Sequence, residues 1–229
     1  MKKIGIIGGM GPESTVMFYN EIIRIFQKKY GAKYDSDYPE MWICNLPIPD
    51  IVEGVTENET IKKMLSGTAK KLEVLGVNFI AVPCNTVNIF FDSVQGAVSI
   101  PVLNIIEESA KKANSSGCKK VGLLATETLI KSGLYEKYLE KYGIGIVIPN
   151  ETERKEISRT IMNILNGKKE PYDRQKILKI SKRFAEEGVE CIILGCTDLP
   201  ALVKEEDFGM KTLDTIKILA EASVNMAVR

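Results

Sequence analysis

Two cysteines occupy equivalent places in the two halves of the chain, Cys84 in Val82-Pro83-Cys84-Asn85-Thr86 and Cys196 in Leu194-Gly195-Cys196-Thr197-Asp198. Each ends a short apolar run that follows an amphipathic stretch and a glycine, with eight residues from Gly76 to Cys84 and from Gly188 to Cys196. An ordinary thiol titrates at about 8.5, so modest stabilisation of its anion lets it take or give a proton at working pH, as general acid and base catalysis requires. Two such groups on opposite faces of one carbon can invert it. The chain contains no histidine, which removes the commonest proton shuttle and metal ligand and every Ser-His or Cys-His nucleophile. Proton chemistry must fall to Cys, Asp, Glu, Lys or Tyr.

Both cysteines lie where a strand gives way to a loop and a helix start, a place where backbone amides can stabilise a thiolate. The hydroxyl and amide side chains that follow, Asn85, Thr86 and Thr197, suit a carboxylate. Asp198 either polarises the Cys196 thiol or caps a helix. Cys44, Cys118 and Cys191 read as inert core residues. Five cysteines at separations of 40, 34, 73 and 5 do not suggest a disulfide framework, and free thiols of a reducing compartment are expected.

Short β-branched runs, Lys3 to Gly8, Met41 to Asn45, Phe79 to Pro83, Pro101 to Leu103, Val121 to Thr126, Ile144 to Ile148 and Cys191 to Gly195, alternate with segments of helical period. That alternation predicts parallel sheets flanked by helices. Helices are expected over 12–29, with Val16, Tyr19, Ile22, Ile23 and Phe26 inward, and over 60–75, 105–115, 129–142, 151–166, 173–187 and 213–227. Lys2-Lys3-Ile4-Gly5-Ile6-Ile7 resembles Lys119-Lys120-Val121-Gly122-Leu123-Leu124 at an offset of 117, while the cysteines are offset by 112. The reading is an internal duplication: two similar Rossmann-like domains, residues 1–104 with the terminal helix 213–229, and residues 105–212. Ligands of such sheets bind beyond the strands' carboxyl ends, so the site is expected in a cleft between the domains.

Gly8-Gly9-Met10-Gly11-Pro12 follows the first strand, but Ser14 stands where a dinucleotide loop needs its third glycine, and Asn45, not an acid, ends the second strand. A tight turn that lets a small ligand approach the backbone, with Met10 lining a pocket, is the favoured reading over a nucleotide-binding module or turn geometry alone. At 229 residues, 45% apolar and 27% charged, the composition is that of a globular protein with a sizeable core. A net charge of +1 lacks the basic surplus that steers chains to nucleic acid or anionic membrane, so small-molecule partners are expected. No apolar run approaches about 18 residues and no signal segment is visible, so a cytoplasmic location is expected.

In their order and spacing, Gly-Gly-Met-Gly-Pro, Pro83-Cys84-Asn85-Thr86 and Gly195-Cys196-Thr197 resemble the aspartate/glutamate racemase family, closest to its aspartate racemases. The resemblance implies two similar α/β domains, no pyridoxal phosphate, no metal, and commonly a homodimer. It also implies that Cys84 and Cys196 exchange the α-proton as thiolate and thiol, Cys84 acting on the D enantiomer, while Asn85 and Thr86 hold the α-carboxylate. Met10, Asn45, Val87, Thr197 and Asp198 complete the candidate substrate contacts. Val87-Asn88 replaces the Ala-His that many aspartate racemases carry after the first motif. Ile51 and Asn166 stand where aspartate racemases often place an arginine and a lysine for the side-chain carboxylate, so Lys131, Lys155, Arg159 and Lys168 become the alternative cations. An aspartate racemase is the first expectation. A family isomerase acting on glutamate, a neutral or broad range of amino acids, a hydantoin or a maleate-type substrate is the alternative.

Overall fold

In the computed structural model, which describes residues 1–52, 58–168 and 170–229, the first half is built on β1 (Ile4–Gly8) and every residue of that strand is buried. A parallel strand with neighbours on both sides accounts for such an unbroken apolar run. The half continues through α1 (Pro12–Tyr30), β2 (Met41–Asn45), α2 (Asn58–Val74), β3 (Phe79–Ala81), α3 (Phe91–Gln95), β4 (Val102–Leu103) and α4 (Ile105–Ser115). Its sheet is parallel, in the order β2-β1-β3-β4, with Ile6 opposite both Ile43 and Ala81.

The second half runs β5 (Lys120–Leu124), α5 (Glu127–Lys131), α6 (Leu134–Glu140), β6 (Gly145–Val147), α7 (Glu151–Leu165), α8 (Pro171–Glu186), β7 (Cys191–Leu194), β8 (Lys211–Asp214) and α9 (Thr215–Val228). Its parallel sheet has the order β6-β5-β7-β8, the first sheet's order repeated strand for strand. The repeated glycines have one role in both halves. A Cβ on Gly5 would stand 2.9 Å from Val77 Cγ2, and one on Gly122 would stand 2.3 Å from Phe184 Cδ2, so each lets a covering side chain rest on the central strand. The fold is α/β, with two similar units of one topology. Contacts group Met1–Pro49, Thr56–Glu108 and Ile216–Arg229 as one unit, and Asp50–Val55 with Ser109–Thr215 as the other.

Several local expectations are corrected. Helix α1 buries Thr15, Phe18, Ile22 and Phe26, while Val16 is 59% exposed. The Thr15 hydroxyl accepts the Gly9 N–H at 2.9 Å on the same face that buries Phe18, Ile22 and Phe26, and Val16, one residue further round the helix, faces outward. The segment expected as one helix over 129–142 is broken at Gly133, whose φ of 66° is left-handed and separates α5 from α6. Strand β8 went unpredicted because Leu213 is its single buried residue, leaving no alternation to read.

The expectation that all five cysteines are free also fails. Cys118 and Cys191 form a disulfide with Cα atoms 6.2 Å apart. They lie at the amino ends of adjacent strands, with Cys191 in register with Val121, so the parallel pairing of β5 and β7 brings together residues 73 apart. No described helix is long and apolar enough to cross a membrane.

Candidate active site

In the first unit the candidate residues gather at the carboxyl ends of three adjacent strands. The Gly8–Gly11 loop leaves β1 through Gly9, whose φ is 90°, and a Cβ there would meet Leu46 N at 2.6 Å and Asn45 Oδ1 at 2.9 Å. The loop therefore packs on the end of β2 beside Asn45, and glycine is required by both conformation and space. Met10 follows, half-buried.

Cys84 comes three residues after β3, buried, in a tight turn closed by its own N–H donating to Val82 O at 2.8 Å. Asn85, Thr86 and Val87 are buried with it, and a 3-10 turn over Thr86–Phe90 replaces the α-helix start expected here. Asn88 holds this turn: its Nδ2 donates to Cys84 O at 2.7 Å and its N–H to Asn85 O at 3.0 Å. Sequence reasoning gave Asn88 no role, although an amide four residues after the cysteine is the signal for such a back-bond.

In the second unit Cys196 follows β7 after Gly195. A Cβ on Gly195 would lie 2.7 Å from Leu123 Cδ1, so the turn runs close against β5. Cys196, Thr197 and Asp198 are all buried, and the Cys196 thiol donates to Asp198 Oδ2 at 3.6 Å. Of the two readings of Asp198, the thiol contact is present, while its side chain makes no cap to the 3-10 turn that follows. Buried threonines stand beyond the ends of the neighbouring strands. Thr126 caps α5 by accepting Leu129 N–H at 3.3 Å, and the Thr215 hydroxyl donates to Leu194 O at 2.9 Å. Neither was singled out from sequence.

Cys84 follows β3 and Cys196 follows β7, the strands at equivalent positions in the two sheets. Cys118 and Cys191 are unsuited to the same work, because a disulfide holds no exchangeable thiol proton and both lie at the amino ends of their strands. Among the described residues no group of three or more His, Cys, Asp or Glu could hold a metal.

The positions flagged for a side-chain carboxylate are not cationic. Ile51 is buried, and Asn166 is the exposed C-cap of α7. Of the alternatives, Lys131 pairs with Glu127 and Lys155 with Glu151, each at 2.8 Å. The Lys131 hydrogen bond, foremost, together with the charges of Lys131 and Arg154, holds the Glu127 carboxyl below its ordinary range. Lys168 is exposed, and the Arg159 guanidinium lies over the Tyr172 ring.

The sequence profile of the Asp/Glu/Hydantoin racemase family matches residues 7–223. A broad specificity amino-acid racemase of Bacillus subtilis, RacX, is 33% identical over 97% of this chain and 96% of its own. The crystal structure of PH1733, an aspartate racemase homologue from Pyrococcus horikoshii, superposes with a TM-score of 0.83 at 35% identity, covering 100% of both chains. The Picrophilus torridus aspartate racemase gives 0.86 at 31% identity, over 100% of this chain and 95% of the other. Family membership over this span displaces the nucleotide-binding reading of the glycine loop, and the chain belongs to the Asp/Glu/Hydantoin racemase family as an amino-acid racemase independent of pyridoxal phosphate.

Proposed function

We propose that the protein inverts the α-carbon of an amino acid with two thiols, Cys84 and Cys196, and that aspartate is its substrate. The observation that carries the reading is the equivalence of the cysteines: each leaves the carboxyl end of the matching strand in a repeated sheet. One cysteine, as thiolate, takes the α-proton. The electron pair left on carbon is delocalised into the α-carboxylate, and the other cysteine, as thiol, delivers its proton to the opposite face. The roles of the two sulfurs are then exchanged, with no external oxidant, reductant or cofactor in the balance. By likeness to the family's glutamate racemases Cys84 is the base toward the D enantiomer, and the Cys196 thiol, hydrogen-bonded to Asp198, is then the donor. Asn85 and Thr86, with Thr197, bind the α-carboxylate, and Met10, Asn45 and Val87 border it.

The same reading takes the protein as a cytoplasmic homodimer with domains 1–104 plus 213–229 and 105–212. Likeness to the Picrophilus torridus aspartate racemase and to PH1733, an aspartate racemase homologue, supports aspartate. A second substrate reading, a broad or neutral range of amino acids, is favoured by buried Ile51 and exposed Asn166 and by likeness to RacX. Deuterium incorporation at the α-carbon, followed by proton NMR across L-amino acids, separates the two. Aspartate is expected to exchange fastest, and Cys84→Ser and Cys196→Ser are each expected to abolish inversion. Inversion surviving in either variant sinks the two-thiol mechanism.

A further inference from the structure

The two cysteine turns are closed by different means. In the second unit the Cys196 carbonyl accepts a backbone N–H, that of Leu199 at 3.3 Å. In the first unit the Cys84 carbonyl accepts from a side chain, Asn88 Nδ2 at 2.7 Å. Four residues after Cys196 stands Pro200, which has no side-chain donor to offer. The hold on Cys84 is therefore an arrangement of the first turn that the repeat does not share.

Asn88 is fixed from both sides. Its N–H donates to Asn85 O at 3.0 Å, its carbonyl accepts the Phe91 N–H, and only 6% of the residue is exposed. An amide buried this far is costly unless its donor is used, and its donor goes to the carbonyl of the cysteine. The two bonds divide the turn between them. The backbone bond to Asn85 O survives a change of side chain, so Asn85 and the residues after it keep their closure. The side-chain bond reaches one residue further back. It fixes the plane of the Cys84–Asn85 peptide, and with it the backbone torsion at Cys84 from which the thiol arm projects. Proton exchange with carbon depends steeply on where that sulfur stands, and a misplacement of about 1 Å can cost about a hundredfold in rate.

We infer that Asn88 is a positioning residue for racemisation: its side-chain amide holds the Cys84 carbonyl, and through it the Cys84 sulfur, where proton exchange at the α-carbon requires it. The inference rests on the reading of Cys84 as one of the two proton carriers. It deepens that reading by naming what orients this sulfur and leaves the other alone.

The test measures deuterium exchange of L-aspartate, well below the melting temperature, for the wild type, Asn88→Leu, Asn88→Ala and Asn88→His. Histidine keeps an N–H donor, Nδ1, at the same reach from the backbone as the amide. Asn88→Leu is expected to lose about ten- to a hundredfold in kcat with KM changed less than about threefold, and Asn88→His to recover most of the loss. Asn88→Ala carries the same comparison if Asn88→Leu does not fold. A brace of general stability would lower the melting temperature and leave kcat of the folded variants alone, and that result overturns the inference. So does a loss confined to KM, or an Asn88→His no better than Asn88→Leu. In parallel, alkylation by iodoacetamide is followed peptide by peptide in the same proteins. Cys84 should react about two- to tenfold faster relative to Cys196 in Asn88→Leu, the change in local opening that one lost hydrogen bond gives, and at the wild-type ratio in Asn88→His. If the wild type incorporates no deuterium, the racemase reading fails by itself, and the alkylation ratio still decides the hold on Cys84. A ratio that is the same in the wild type and the leucine or alanine variant then overturns it.

Discussion

The Cys196 thiol donates to the Asp198 carboxylate across 3.6 Å, and both residues are buried. In the proposed mechanism this contact sets a carboxylate against the sulfur that delivers a proton. Asp198→Asn removes the charge and keeps the shape, so kcat/KM is expected to fall about ten- to a hundredfold, the worth of a charge-assisted hydrogen bond. The equilibrium constant of a racemisation is unity, so the loss must be equal from either enantiomer. Initial rates in both directions check it, and an undiminished kcat/KM would remove Asp198 from the chemistry.

The disulfide closes a 73-residue separation. Cross-linking a loop of that length contributes about 4 kcal/mol by restricting the unfolded chain. Cys118→Ala/Cys191→Ala should therefore melt about 10 °C lower, since each kcal/mol shifts a domain of this size by about 2–4 °C. Racemisation below the melting point should persist, because both residues lie at the strand ends away from Cys196. Loss of activity in a folded double variant would contradict the assignment of Cys84 and Cys196.

Thr15→Val tests the glycine loop. The hydroxyl accepts the Gly9 N–H at 2.9 Å, and valine leaves that donor unmet at a cost of about 1–3 kcal/mol. A lower melting temperature is expected together with a raised KM, because the same loop carries Met10. A variant that loses stability with KM untouched would separate the loop from substrate binding.

Acid stability has a sign that follows from local partners. Glu73 accepts from the Ser99 hydroxyl at 2.6 Å and from the Ser99 and Ile100 N–H groups, and its carboxyl is held below its ordinary range by these bonds. Arg174, foremost, and the Lys204 N–H do the same for Asp207. A carboxyl lowered in the folded state contributes stability that is complete above the unfolded value, about 4, and is lost as pH falls through the folded one. With no histidine to titrate, the melting temperature should be nearly flat from about pH 5.5 to 8 and drop below about 4. Glu73→Gln should melt lower at neutral pH and show a smaller acid drop.

The candidate site's turns were legible where local chain chemistry decides the structure. Cys84 and Cys196 announce themselves because a buried strand must end in a turn, and the shared glycine-to-cysteine spacing reports the repeat. Seven strands followed from β-branched runs, whereas β8 carries a single buried leucine and gains its identity from pairing with β7. In α1 a buried Thr15, its hydroxyl accepting the Gly9 N–H, takes the inward place that periodicity gave to the apolar Val16. The Cys118–Cys191 bond and the stacking of Arg159 on Tyr172 are properties of three-dimensional neighbourhood: each requires knowing which distant segments lie side by side.

The repeated strand order has a consequence for how such an enzyme could arise. In the two-thiol mechanism proposed above, each copy of the unit supplies one sulfur, one for each face of the stereocentre. Doubling the unit within one gene doubles the acid-base group without inventing a new one. From then on the copies are free to specialise: one keeps an amide-locked turn at Cys84, the other places a carboxylate beside Cys196. Under the proposed mechanism, inversion thus rests on copy number before it rests on any single residue.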